Sequence, residues 1–302
     1  MVRVVNAEES MFKGSMVALA TPFKNDTIDE AALKKLVDFQ IEGGTSAIVP
    51  CGTTGESPTL DYDEHDRVIE LTIKFVAGRV PVMAGTGSNS TREAIQLTKH
   101  AKKAGAAASL QVSPYYNRPT QQGLYEHFRA IAEAVDLPIV LYNIASRTGV
   151  NIEPETIARL AKDCKNIVGV KEASGNLEQM SRVKALTGSS FDLISGDDAL
   201  TLPVLSIGGT GIISVVANIV PRETAKMVAA FERHDLAQAI ELHYGLLPLI
   251  KAMFIETNPI PVKTAMGAMG LCAPDVRLPL CGMSSDNKEK LMKALKDHQL
   301  IK

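Results

Sequence analysis

The sequence predicts an α/β chain folded as a (β/α)8 barrel with a small helical region after it. Eight apolar runs recur at intervals of roughly 20–35 residues, and stretches of helical period separate them. No GxGxxG follows the first run, as a doubly wound dinucleotide-binding sheet would want. Beyond about Arg233 the strand signal stops and only helical patterns remain.

The runs begin with "SMVALATP" from Ser15, "SAIVPCGTT" from Ser46, "VPVMAGTG" from Val80 and "ASLQVSPYY" from Ala108. "PIVLYNI" from Pro138, "IVGVKEAS" from Ile167, "FDLISGDD" from Phe191 and "GTGIISV" from Gly209 complete them. They are short and apolar throughout, as strands buried on both faces of a parallel sheet must be. Between them, "TIDEAALKKLVDFQIEGG" from Thr27 has apolar residues at three- and four-residue spacing, with glycines after its end. "STREAIQLTKHAKKAGA" from Ser90 opens with a cap-like Ser-x-x-Glu and closes at Gly105. After the runs, "DLAQAIELHYGLLPLIKAMF", "IPVKTAMGAMG" and "DNKEKLMKALKDHQL" read as helices. The organisation expected is a disordered extension over 1–10, a catalytic barrel over 11–233 and a helical domain over 234–302.

Composition narrows the function classes. A net charge of −2, with Lys and Arg scattered, gives no basic field for nucleic acid or an anionic membrane. No apolar run approaches the roughly 20 residues of a membrane span, and the start, "MVRVVNAEES", resembles neither a signal nor a transit peptide. The four cysteines form no CxxC pair and read as reduced thiols in a cytoplasmic protein. The six histidines show no HxH or HExxH spacing, so no metal site is expected.

In such barrels the chemistry sits at the C-terminal ends of the strands. Those ends carry Thr53-Thr54, Gly85-Thr86-Gly87, Tyr115-Tyr116, Tyr142-Asn143, Lys171, Gly196-Asp197-Asp198 and Ile213-Ser214. One amine stands among hydroxyls and phenols. Burial disfavours the charged form of an amine, and the free amine attacks carbonyls to give an imine that serves as an electron sink. Lys171 is thus an imine-forming candidate; the alternative is a strand-end lysine that snorkels to solvent or pairs with Glu172. Tyr142 reads equally as barrel packing. "GTTGE" from Gly52 suits a carboxylate or is a plain turn. Cys51 reads as a small buried residue, "GGTG" from Gly208 as a glycine-relieved strand and "GDD" from Gly196 as capping rather than a metal pair.

Taken together, "GTTGES" from Gly52, "PYYNRP" from Pro114, "YNIASRTG" from Tyr142, "GVKEASG" from Gly169, "SGDDAL" from Ser195 and "NPIPVK" from Asn258 resemble the dihydrodipicolinate synthase family, from Met11 to about Leu280. That family belongs to the pyruvate-dependent class I aldolases typified by N-acetylneuraminate lyase. The resemblance implies condensation of pyruvate with L-aspartate-4-semialdehyde in lysine biosynthesis, without metal or organic cofactor. Lys171 would form the imine, Tyr142 would shuttle protons, and Thr53, Tyr142 and Tyr116 would make a proton relay. Tyr116 would come from the neighbouring subunit of a tight dimer, within a tetramer built as a dimer of dimers. Thr54, with backbone around Gly196 and Ile213, would hold pyruvate. Arg147 would clamp the second substrate's carboxylate, and it separates this synthase from N-acetylneuraminate and sugar-acid lyases. Ala145 departs from the family's proline, whose stiffening effect is about 0.4–1 kcal/mol. The resemblance also implies a candidate L-lysine inhibitor site at Ser57, Pro58, Tyr62, His65, Asn89, Glu93 and Tyr115. Outside enzymes, the alternative is a silent barrel acting as a binding subunit.

Overall fold

The computed structural model describes residues 11–302; the extension expected over 1–10 lies outside the described residues. All eight apolar runs form strands, namely β1 (Gly14–Ala18), β2 (Ala47–Val49), β3 (Met83–Gly85), β4 (Ala108–Val112), β5 (Ile139–Asn143), β6 (Ile167–Glu172), β7 (Asp192–Ser195) and β8 (Gly211–Ser214). They make one parallel sheet in the order β2-β1-β8-β7-β6-β5-β4-β3. A parallel bridge between Ile48 and Val82 joins its two ends, with the Ile48 N–H donating to the Pro81 carbonyl at 3.1 Å. The sheet thereby closes into a (β/α)8 barrel.

Helices α1 (Glu30–Glu42), α2 (Tyr62–Val76), α3 (Thr91–Ala104), α4 (Gln121–Ala134), α5 (Pro154–Asp163), α6 (Leu177–Thr187), α7 (Thr201–Ser206) and α8 (Pro221–Glu232) follow the strands in turn. Their starts are set by local chemistry. Asp29 caps α1 by accepting from the Ala32 N–H, and Asp61 and Glu64 form a reciprocal capping box on α2. One expected boundary and one expected cap change. Thr27-Ile28 pairs with Phe23-Lys24 in a small antiparallel ribbon, so α1 begins later than its apolar spacing suggested. Ser90 does precede α3 but makes no side-chain cap; its N–H donates to the Ser88 hydroxyl at 3.0 Å, and that hydroxyl donates to Glu93, so no capping box forms. Gly105 does close α3, in the left-handed conformation that glycine adopts without steric cost.

The core lies in layers. Met16, Val49, Met83, Leu110, Val140, Ile194 and Ile213 are packed together inside the barrel, and Phe12 joins them. The outer strand faces pack on the helices, as Val170 and Leu193 do against Met180 and Val183 of α6. Helices α9 (Leu236–Met253), α10 (Ile260–Ala268) and α11 (Ser285–Asp297) contribute Leu249, Met253, Val262, Met266, Leu291 and Leu295 to the core shared by β1 and α1. No helix of the described residues is long and apolar enough to cross a membrane.

The loop motifs behave as their composition suggested. Gly211 lies so close to the Gly14 backbone that any Cβ would collide with it. Asp197 accepts from the Ala199 N–H, while Asp198 accepts from the Ser214 hydroxyl and the Val215 and Val216 N–H groups, at 2.5, 3.0 and 3.1 Å. The "GDD" acids therefore hold turns. Cys51 is buried, and that burial pushes its thiol pKa far up.

One buried group gives the fold a measurable pH dependence. His127 on α4 is 6% exposed, with Nδ1 at 2.9 Å from the Thr91 hydroxyl. Burial lowers its pKa from 6.5 to about 4. Between those values the unfolded chain binds more protons than the folded one, so stability is complete above 6.5 and is lost as pH falls toward 4. The contribution is on the order of 3 kcal/mol. His127→Gln should flatten the fall of the urea midpoint between neutral pH and the edge of that window; an unchanged slope would remove His127 from the account.

Candidate active site

Alternation along β6 decides where its charged residues go. Val170 faces the helices and Glu172 lies on that same side of the strand. Glu172 is fully buried there, accepting from Asn143 Nδ2 at 3.0 Å, Gln179 Nε2 at 2.9 Å and the Ser174 N–H at 2.9 Å. Lys171, between them, points into the barrel. A register shift after Ile139 leaves Val168 unopposed, so that Lys171 stands directly beside Tyr142.

Lys171 is 5% exposed, and its Nζ lies 4.2 Å from the centroid of the Tyr142 ring. Among the described residues no carboxylate comes within 4.0 Å of that nitrogen. Neither alternative for Lys171 holds: it does not reach bulk solvent, and Glu172 is committed on the opposite face. Gly196 gives the lysine room, since a Cβ there would stand 3.1 Å from Lys171 Cε and 2.7 Å from Ala173 Cβ. Ile213, 1% exposed, packs with Tyr142 and Ile194 in the barrel interior.

Thr53 and Thr54 sit in the turn after β2, which is fixed from below. Cys51 and Glu56 both take left-handed backbone, at φ of 55° and 54°. The Thr21 hydroxyl donates to the Gly55 carbonyl at 2.7 Å. Glu56 forms a 2.5 Å ion pair with Lys263 of α10, both side chains fully shielded from solvent. Thr54 is buried and accepts from Asn258 Nδ2 at 3.0 Å.

Arg147 lies on a single helical turn, Ala145–Thr148, after β5. Ala145 takes the first position of that turn, where proline is favoured, and its carbonyl still accepts from the Gly149 N–H at 2.9 Å. The guanidinium donates to the Asn258 carbonyl at 3.2 Å. Arg147 is thus held despite the missing proline.

A cavity of about 600 Å³ is lined by Thr53, Tyr142 and Arg147 at one side and by Tyr62, His65, Glu93 and Tyr115 at the other. Ser57 and Pro58 also line it. Asn89 stands just outside, donating to the Tyr115 carbonyl at 3.2 Å. The Tyr62 hydroxyl donates to Glu93 at 2.8 Å, and that carboxylate raises the phenol pKa. Burial keeps His65 neutral by lowering its pKa; its Nε2 carries the proton, since the Gly85 carbonyl at 2.9 Å can only accept. Tyr116 is not brought to this cavity. It is 91% exposed at a φ of 72°, on a loop pinned by Asn117 Nδ2 donating to the Asn89 carbonyl at 2.8 Å.

Asn258 and Lys263, within "NPIPVK", and Ser88 also belong to this site, although no sequence motif assigns them a role. Nothing in spacing marks them, because their partners are distant along the chain. For Gly196 the expectation is definite. Gly196→Ala should cost about 1–3 kcal/mol by overpacking and should slow the reaction of Lys171 with a keto acid by roughly 10–100-fold through displacement of its amine. Stopped-flow and thermal melts measure both, and a variant reacting at the wild-type rate would show that the close contact is relieved elsewhere.

The comparisons agree with this geometry. The family model described as "Dihydrodipicolinate synthetase family" matches residues 11–298. A 4-hydroxy-tetrahydrodipicolinate synthase of Endomicrobium trichonymphae is 58% identical over 97% of this chain and 100% of its own length. The chloride-inhibited dihydrodipicolinate synthase of Acinetobacter baumannii, solved complexed with pyruvate, is 46% identical with a TM-score of 0.93, covering 96% of this chain and 99% of that one. The enzyme of Cyanidioschyzon merolae, solved with lysine bound, is 43% identical with a TM-score of 0.94, covering 97% and 100%. A buried strand-end lysine beside a tyrosine, on a barrel matched along almost its whole length, leads to one conclusion: the chain belongs to the dihydrodipicolinate synthetase family.

Proposed function

We propose that this chain works as a 4-hydroxy-tetrahydrodipicolinate synthase with Lys171 as its imine-forming residue. The observation that carries the reading is a buried amine beside Tyr142 with no carboxylate among the described residues to neutralise it. The free amine attacks C2 of pyruvate and water leaves, giving an imine. Loss of a C3 proton yields the enamine, whose C3 attacks the aldehyde carbon of L-aspartate-4-semialdehyde. The amino group of that substrate then attacks C2, closing the ring and releasing the lysine nitrogen. Tyr142, whose ring centroid lies 4.2 Å from the amine, carries protons in these steps in this proposal.

Thr53 shares the cavity with Tyr142 and takes part in the relay. Thr54 with the backbone at Gly196 and Ile213 holds pyruvate, and Arg147 binds the carboxylate of the aldehyde by charge-assisted hydrogen bonds. The imine itself is the electron sink, so the chemistry calls on no metal or organic cofactor. The sugar-acid lyase alternative is not favoured, since the curated relatives at 55–58% identity carry the synthase name. We propose that Tyr116 enters a partner's site, within a dimer and, by family habit, a tetramer of two dimers; its exposure on a turn with left-handed backbone supports that reading. The chain's setting is proposed to be the cytoplasm.

Incubation with pyruvate and borohydride should add the mass of the reduced adduct to the wild type and nothing to Lys171→Met. A wild-type mass left unchanged would end the imine reading. Feedback by L-lysine fits the second half of the cavity, where Glu93 offers a carboxylate and His65 and the two tyrosines offer polar walls. Millimolar L-lysine should lower activity several-fold, and Glu93→Gln should weaken that response; indifference of the wild type to lysine would discard the inhibitor site.

A further inference from the structure

We infer that Asn258, in the connection between α9 and α10, is a positioning residue whose side-chain amide aims the Thr54 hydroxyl at the carboxylate of pyruvate. The inference deepens the proposed function and rests on its reading of Thr54. Asn258 is 204 residues away in sequence and 5% exposed. Its Nδ2 donates to Thr54 Oγ1 at 3.0 Å.

A hydroxyl has one hydrogen to give and two lone pairs to offer. With a lone pair of Thr54 taken by an amide N–H, its hydrogen has no hydrogen-bond acceptor among the described residues. Thr54 is 2% exposed, so solvent does not direct that hydrogen freely. A carboxylate only accepts hydrogen bonds. A threonine that already receives one is therefore set up to donate to it. The Oδ1 of the same amide is buried with no partner among the described residues. A side chain kept there for packing alone would not leave an acceptor unmet.

The position of Asn258 is itself fixed at both sides. Its backbone carbonyl receives the Arg147 guanidinium at 3.2 Å. Five residues on, Lys263 forms the shielded ion pair with Glu56, two residues after Thr54 in the same turn. Lys263 Nζ also lies 4.2 Å from the Phe23 ring centroid, and the Arg277 N–H donates to the other Glu56 oxygen at 3.0 Å. The connection and the turn after β2 therefore form one rigid piece. The C-terminal helices reach the active site through this residue.

The test is steady-state kinetics on Asn258→Ala and the isosteric Asn258→Asp, each checked for fold by thermal melt. Removing the side chain spares the backbone carbonyl, so Arg147 keeps its contact. Asn258→Ala should raise KM for pyruvate about tenfold, with KM for L-aspartate-4-semialdehyde changing less than about twofold. Asn258→Asp, which turns the donor into an acceptor and consumes the Thr54 hydrogen, should raise KM for pyruvate further. Adding Asn258→Ala to Thr54→Val should cost less than about twofold beyond Thr54→Val alone. A pyruvate KM at the wild-type level in both folded single variants overturns the inference. So does a parallel loss of kcat and of both KM values together with a lowered melting temperature, which would make Asn258 merely structural. Borohydride trapping of the wild type separates the two levels: no adduct there fails the proposed function and takes this inference with it, whereas normal wild-type trapping with indifferent variants fails this inference alone.

Discussion

The structure is organised around an amine kept out of water with no carboxylate among the described residues beside it. An ammonium group loses much hydration when buried, and the usual remedy is a neighbouring carboxylate. Among the described residues Lys171 lacks that remedy, although Glu172 is its immediate neighbour in sequence. The strand's two-residue period sends Glu172 outward into a net of amide donors and leaves Lys171 facing a phenol ring. Separation of the two adjacent side chains onto opposite faces of one strand leaves the lysine without Glu172 as an ion-pair partner.

The surrounding features keep that arrangement in place. The irregularity between β5 and β6 brings Lys171 and Tyr142 level, and the glycine at the end of β7 makes space for the lysine chain. The turn after β2 carries two residues in left-handed backbone, each costing free energy in a non-glycine residue. Its Glu56 is neutralised in the interior by Lys263, which ties a region distant in sequence to the pocket wall. Breaking such a pair on one side alone costs several kcal/mol, whereas its net contribution when intact is small. Its role is better described as fixing geometry than as adding stability.

The same cavity is lined by Thr53 and Tyr142 and also by Tyr62, His65, Glu93 and Tyr115. A molecule held at the second end would touch the turn that carries Thr53 and Thr54. Coupling between the two ends needs no long pathway, only a change in the differential fit of that turn. Glu93 is available there because Ser88 and Tyr62, rather than the N-terminus of its own helix, are its partners.

Much of this was already settled by local sequence. Short apolar runs alternating with amphipathic segments specify buried parallel strands and their covering helices, because burial of each element depends mainly on its own residues. That is why all eight strands, the capping role of Asp197 and the glycine relief at Gly211 were legible, and why Lys171 could be placed at a strand end. Tertiary structure alone decided which face Lys171 occupies, since one unopposed residue in β6 changes its neighbour. It also decided that Asn258 meets Thr54 and that Lys263 meets Glu56. Those contacts join parts of the chain some two hundred residues apart, and a hydrogen bond between them leaves no period or spacing in the sequence for a reader to find.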